Sequence, residues 1–180
     1  MKHLLFLALA VVVLSCKSPE ARQPISHSSG SFIKKSAERN KKLYEAEKKR
    51  ITSKFSQFQD YEVLTSENGF WYFYNTKVET DSIMPRFGDI VSFDYQVKDL
   101  DGNTIYTADE LKNQEYIIDK QELFSGLREG LKLMKQGETV TFFFPSQQAY
   151  GYYGDENRIG TNVPLICEVT LNSITQIENN

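Results

Sequence analysis

Residues 119–151 read DKQELFSGLREGLKLMKQGETVTFFFPSQQAYG, and their hydrophobic period changes partway along. Asp119 and Glu122 stand at capping-box spacing, which predicts a helix whose first free N–H groups they satisfy. Phe124, Leu127, Leu131 and Met134 follow at steps of 3, 4 and 3 residues, giving a short helix one apolar side. Lys135 and Gly137 supply a cationic last turn and a residue suited to a left-handed stop. Beyond Gly137 the period is two. Val140, Phe142 and Phe144 alternate with Thr139, Thr141 and Phe143, a strand that Pro145 ends. It hands the chain to Ala149-Tyr150-Gly151, a tyrosine between small residues at a loop mouth. A helix feeding a strand that presents a tyrosine is a site-building arrangement.

Working outward, the same alternation recurs on both sides. Gly69 to Tyr74 is aromatic and strand-like after the turn residues Ser66-Glu67-Asn68, and Trp71, the only tryptophan, is expected to pack the sheet. Val91, Phe93, Tyr95 and Val97 alternate with polar residues as in a half-buried antiparallel strand. Asp101-Gly102 marks a hairpin turn into Thr104-Ile105-Tyr106, and Tyr116-Ile117-Ile118 is a further short strand. The last strand runs from about Leu165 to Ile177, with Cys167 on the same side as Leu165, Val169 and Leu171 and so expected to be a buried apolar group. The expectation is an α+β domain over residues 69–178, an antiparallel sheet of four to six strands with one short helix across its concave face.

The N-terminal third reads differently. Residues 1–15 have the form of a signal peptide, with Lys2 ahead of an apolar run from Leu4 to Leu14 that is too short to span a bilayer. Val13-Leu14-Ser15-Cys16 resembles a bacterial lipobox, although Leu14 is unusual two residues before the cysteine. Lipidation of Cys16 would give an effectively permanent membrane anchor, at roughly 0.8 kcal/mol per buried CH₂. The other reading is an ordinary secretory peptide with an incidental cysteine. With Cys16 acylated, Cys167 has no disulfide partner.

Residues 16–31 read as a tether. Residues 32–59 read as a basic amphipathic helix whose stripe is Ala37, Tyr44, Ile51, Phe55 and Phe58. Between Lys34 and Lys54 there are nine Lys/Arg against three Glu, whereas from Asp60 onward nine Lys/Arg face twenty Asp/Glu. Three readings of this helix stand: packing on its own domain, a homodimer seam through residues 32–58, and attraction to anionic lipid headgroups. The export signal argues against nucleic acid as a partner.

Composition excludes several chemistries. Both histidines, His3 and His27, precede the domain, and Cys167 is expected to be buried, so no Ser-His-Asp or Cys-His arrangement can be built. No His/Cys cluster is spaced for a metal, and Gly151, Gly154 and Gly160 are not followed by the Lys-Ser/Thr of a phosphate loop. Asp155 and Glu156 read as a solvated turn. What remains is an activity that needs neither cofactor nor charged catalyst, or binding alone.

The stretch LFSGLREGLKLMKQGETVTFFFPSQQAYG resembles the FKBP-type peptidyl-prolyl isomerases, whose domains carry V-I-x-G-W-x-x-G-L-x-x-M-x-x-G-E and end the next segment in A-Y-G. The resemblance extends through PRFGDIVSFDYQVKDLDGNTIY and NVPLICEVTLNSI, from about Pro85 to Ile177. It implies an FKBP-like half-barrel wrapped on its short helix, and isomerisation of X-Pro bonds in polypeptide substrates.

By matching positions it also implies a site. Tyr95, Leu123 and Phe124 wall the proline ring, Leu127 is the floor, and Ile105 and Ile159 close the sides. Tyr150 donates its hydroxyl to a substrate carbonyl, and the Phe124 backbone N–H holds a neighbouring one. Tyr95, Tyr150 and Phe124 are thus the candidate catalytic residues, and Ile105, Tyr106, Leu123, Leu127, Ile159 and Cys167 the candidate substrate contacts. Plain core packing of the same rings is the competing reading.

Tyr106 stands where the family usually has Asp, Gln114 where it has an aromatic wall, Leu127 where it has Trp, and Cys167 where it has Phe. Ile159-Gly160-Thr161-Asn162 resembles an I-P-P-N run without its prolines. Each lost ring removes apolar contact worth of order 1–3 kcal/mol, so the expectation is weak turnover and weaker binding of macrolide inhibitors. The loop from Gly151 to Pro164 is too short for an inserted chaperone domain. The layout of anchor, tether, basic helix and domain is similar to the gliding-motility-associated lipoprotein isomerases of gliding bacteria, which would place the chain in the cell envelope, facing the periplasm. A proline-peptide-binding module of an envelope machine, without turnover, is the alternative.

Overall fold

A computed structural model describes residues 29–79 and 83–177. Cys16, His3 and His27, with the expected signal peptide and most of the tether, lie outside the described residues. Helix α1 spans Ser29–Lys54, so it begins within the expected tether, and a 3₁₀ turn follows at Phe55–Gln57. From Ala37 onward the chain forms one compact unit.

Seven strands make its sheet: β1 Leu64–Thr65, β2 Trp71–Thr76, β3 Ile90–Lys98, β4 Thr104–Tyr106, β5 Gln114–Ile117, β6 Thr139–Phe144 and β7 Leu165–Thr175. Two short helices interrupt them, α2 at Ala108–Leu111 and α3 at Ser125–Leu131. All the pairings are antiparallel in the order β1-β2-β6-β7-β3-β4, with β5 also on β3. The two-residue β1 is the strand that sequence periodicity cannot register.

The alternation predicted for β3 holds, with Val91, Phe93, Tyr95 and Val97 buried. In β6 every residue after Thr139 is buried, on both faces. One face carries Val140, Phe142 and Phe144 into a core completed by Leu127, Leu131, Met134, Cys167, Val169 and Leu171. The other carries Phe143 into a second cluster with Ile51, Trp71, Phe73, Leu100 and Ile166, against which Phe55 and Phe58 pack. Phe55 and Phe58 each meet Phe143 nearly edge-on, at 5.3 and 5.4 Å between ring centroids. The stripe of α1 and the turn after it therefore pack on the chain's own sheet at Ile51, Phe55 and Phe58, while Tyr44 is half-buried and Ala37 is exposed.

Two expectations about α3 are corrected. Asp119 and Glu122 form no capping box. Asp119 sits at φ +59° in a turn, incompatible with the extended backbone of an N-cap, and Phe124 caps α3 without a side-chain bond. The capping box belongs instead to Thr107 and Glu110, which open α2. Nor does Gly137 stop the helix, which ends at Leu131. Its φ of +86° lets Gly137 N–H reach Leu171 O at 2.7 Å, so it forms the turn into β6.

Helix α3 lies very close to the sheet. A Cβ on Gly126 would stand 2.5 Å from the Phe144 ring and 2.7 Å from Gln148 O, and one on Gly130 would stand 2.9 Å from the Phe142 ring. Glycine at both positions permits this approach despite its poor helix propensity.

If α1 is a layer of the fold, cutting back a completely buried side chain on it costs core-like energy. Ile51→Ala should lower unfolding stability by about 2–5 kcal/mol, and Lys49→Ala, on the exposed side, by less than about 0.5 kcal/mol. Urea denaturation of the two variants measures both.

Candidate functional site

All nine residues proposed for the site from the sequence fall in one apolar cluster. Tyr95, Leu127, Ile159 and Cys167 are buried members, and Ile105, Tyr106, Leu123, Phe124 and Tyr150 are half-buried around them. Five parts of the fold deliver them: Tyr95 comes from β3, Ile105 and Tyr106 from β4, and Leu123, Phe124 and Leu127 from the start of α3. Tyr150 and Ile159 sit on the long loop that follows β6, and Cys167 is in β7. The ring centroids of Phe124 and Tyr150 lie 5.1 Å apart, and Phe124 also meets Phe144 edge-on at 5.5 Å. Leu111, Ala149 and Val163 line the same cluster. Sequence reading overlooked Leu111, although T-x-x-E at Thr107–Glu110 was a legible sign of the helix that carries it.

The polar groups of this cluster divide into two kinds. The hydroxyls of Tyr95 and Tyr150 make no hydrogen bond to any described residue, and neither does the Phe124 backbone N–H. Burial, reinforced by its neighbours Cys167, Asp155 and Tyr106, pushes the Tyr150 phenol up to about 12. Burial raises Tyr95 further still, with Tyr150 as its strongest charge neighbour. Both phenols therefore remain donors across the neutral range. Burial likewise raises the Cys167 thiol, which keeps it un-ionised and inert.

The other kind is already engaged. Tyr106 donates its hydroxyl to Asp155 Oδ2, and Arg158 stacks on the Tyr106 ring with its guanidinium carbon 4.8 Å from the centroid. Burial opposes ionisation of Asp155, but hydrogen bonds from Tyr106 and from the N–H groups of Ile159 and Asn157 hold its carboxyl below the usual range. Arg158 holds Glu110 down at about 2. Asp155, expected to be solvated, is thus half-buried and structural. Gln114 donates its amide to the carbonyls of Leu111 and Lys112, at the end of α2.

The turn that presents Tyr150 has its own anchor. Ser146 O accepts from both Ala149 N and Gly151 N, at 3.0 and 2.8 Å. Ser146 in turn gives its N–H and Oγ–H to the buried Glu47 of α1, at 2.8 and 2.7 Å. A glutamate on the basic helix, 99 residues away in the chain, thus braces the tyrosine turn. Nothing in the sequence pattern pairs these two positions.

Residues 82–172 match the family described as FKBP-type peptidyl-prolyl cis-trans isomerase. The chain is 30% identical over 117 residues to the probable FKBP-type peptidyl-prolyl cis-trans isomerase FkpA of Neisseria meningitidis serogroup B, over 65% of this chain and 42% of that protein. It therefore spans well under two thirds of that relative. Two solved structures share the fold at TM-score 0.60 and 22% identity. A peptidyl-prolyl cis-trans isomerase from Pseudomonas syringae pv. tomato covers 76% of this chain and 96% of its own, and FkpA from Escherichia coli covers 97% and 82%.

Glu47→Ala strips a buried N–H and a buried hydroxyl of their only acceptor. We expect it to cost about 2–3 kcal/mol in urea unfolding, with Glu47→Gln intermediate because one acceptor oxygen survives. Equal midpoints for wild type and Glu47→Ala would show that the brace contributes nothing.

Proposed function

The chain belongs to the FKBP-type peptidyl-prolyl cis-trans isomerase family, and from that premise we propose that it rotates X-Pro bonds of exported or envelope polypeptides in the cluster around Tyr95, Phe124 and Tyr150. The observation that carries this reading is the pair of unpartnered donors, Tyr150 hydroxyl and Phe124 N–H, at the half-buried rim of an apolar site.

Rotation about a peptide bond has a barrier of about 18–20 kcal/mol because the planar amide is stabilised by resonance. At the twisted transition state that resonance is lost and the carbonyl is less polarised. An apolar surround therefore disfavours the planar ground state more than the twisted one. Donors placed to hold the twisted conformer add to the difference, and no covalent intermediate or ionised catalyst is needed. Leu123, Leu127, Ile105, Ile159 and Cys167 supply the apolar surround, and Tyr106 closes one side.

The layout supports a finer assignment. The isomerase domain, residues 69–178, hangs from a lipid on Cys16 in the cell envelope, facing the periplasm, through the part of the expected tether that precedes α1. It assists the folding of exported proteins in the manner of the gliding-motility-associated lipoprotein isomerases. Of the homodimer seam expected through residues 32–58, Ile51, Phe55 and Phe58 are taken up by the chain's own sheet, and Phe32 and Ile33, 77% and 66% exposed, are the part that suits a second copy.

Exchange spectroscopy on a proline peptide tests the activity. Tyr150→Phe should lower kcat/KM by up to about tenfold, the worth of one hydrogen bond, and adding Leu127→Ala should bring the rate to background. Peptide binding by a wild type with no turnover would make the chain a recognition module instead. The pH profile is a second test. Deprotonation removes the Tyr150 donor, and its raised pKa moves that loss upward, so kcat/KM should be flat from about pH 6 to about pH 10. A bell centred near neutrality would contradict this site.

A further inference from the structure

We propose that Tyr106, Asp155 and Arg158 act together as positioning residues, a clasp that fastens the 151–160 loop to strand β4 and holds the pocket mouth in its substrate-ready form. The inference rests on the isomerase reading above and adds a device for the same site.

The contacts converge from both sides. Tyr106, on β4, donates its hydroxyl to Asp155 Oδ2, 49 residues further along the chain. The other oxygen, Asp155 Oδ1, accepts Asn157 N at 3.0 Å and Ile159 N at 2.7 Å, so the carboxylate that meets Tyr106 also shapes the loop. From the loop, Arg158 covers the Tyr106 ring and donates Nη1–H to Ile105 O at 2.8 Å. Its Nη2 pairs at 2.8 Å with Glu110, whose own carboxylate accepts Thr107 N.

The loop so fastened is stiff in itself. Asp155 N bonds Ile159 O at 3.0 Å, and Asn162 N bonds Gly151 O at 2.8 Å. Gly154, at φ +71°, leaves only 2.1 Å between a hypothetical Cβ and Ile159 O, so no other residue fits there.

Several features separate this from ordinary fold support. Asp155 and Arg158 lie outside both cores and Tyr106 only packs on the edge of one, so the sheet does not depend on the polar contacts these three make. What they fix are Ile105 and Tyr106 at the rim and the buried Ile159 behind them, in a loop that also ties Asn162 N to Gly151 O beside Tyr150. If the mouth is substrate-ready only when clasped, loosening it reduces the competent fraction and raises KM by the inverse of that fraction, leaving the rate from the bound complex alone.

The test uses the full chain with Tyr106→Phe, which removes one hydroxyl and keeps the ring, with Asp155→Asn, and with the pair combined. Steady-state parameters come from exchange spectroscopy over a range of proline-peptide concentrations. Each single variant should raise KM by about five- to tenfold with kcat within about twofold of wild type, and the double variant should be no worse than the worse single. Hydrogen exchange should quicken at Asn157 and Ile159 but not in β3, β6 or β7, with the urea midpoint unchanged.

A KM within twofold of wild type in both single variants would overturn the clasp, as would multiplying effects in the double. A lowered midpoint with faster exchange throughout the sheet would reduce the three residues to fold support and overturn it too. The two levels separate cleanly. A wild type without turnover sinks the isomerase reading and this inference together, whereas an active wild type with unaffected variants sinks this inference alone.

Discussion

Strand β6 has no face to give to water, and the architecture follows from that constraint. Phe142 and Phe144 on one side and Phe143 on the other are completely buried, at roughly 1.5–3 kcal/mol for each ring. A sheet with a single covering layer would leave one of those sides wet. Helix α3 covers the first, drawn close because Gly126 and Gly130 have no Cβ to hold it off the Phe144 and Phe142 rings. The C-terminal half of α1, with Phe55 and Phe58 beyond it, covers the second. That half of the basic helix is thus the far wall of the fold, with Lys48, Lys49 and Arg50 turned outward.

The same strand sets the site. It ends at Pro145, which cannot extend a central ladder, and the chain released there turns at once around Ser146 to present Tyr150. That turn is held from behind by Glu47 on the α1 side of the sheet, and the loop beyond it is held in front by Tyr106 on β4. The tyrosine therefore stands between two fastenings that come from opposite faces of the sheet. Neither engages the Tyr150 hydroxyl itself, which leaves that donor free for a ligand.

How far all this could be read in advance depends on the range of the interaction. Local pattern disclosed β3, β6 and β7 through alternation and β2 through its aromatic run, and register to a family pattern named nine candidate positions that share one apolar cluster. The competing capping boxes show where local reading fails. Asp119–Glu122 and Thr107–Glu110 have equal spacing, and only the backbone decides between them: Asp119 is left-handed at φ +59°, Thr107 extended at φ −80°. The Glu47–Ser146 and Tyr106–Asp155 bonds lie beyond any pattern. Each joins single polar residues across many tens of positions, with no periodic trace. A buried glutamate among lysines reads as one more exposed charge, and Asp155 beside Glu156 reads as a polar turn.

These fastenings bear on the departures from the family pattern. Leu127 and Cys167, which stand where larger rings are usual, are completely buried, so on the proposed reading the surface offered to a peptide is the half-buried rim of Ile105, Tyr106, Leu123, Phe124 and Tyr150. An apolar surround disfavours the planar amide relative to the twisted one, but a floor of smaller, completely buried side chains contributes less of that difference. A rim donor distinguishes them only if it is held where the twisted carbonyl arrives. When the floor is modest, discrimination therefore depends on how little the rim can move. That is why hydrogen bonds remote from any substrate, at Glu47 and at Asp155, belong to the chemistry of this site as much as the rings that line it.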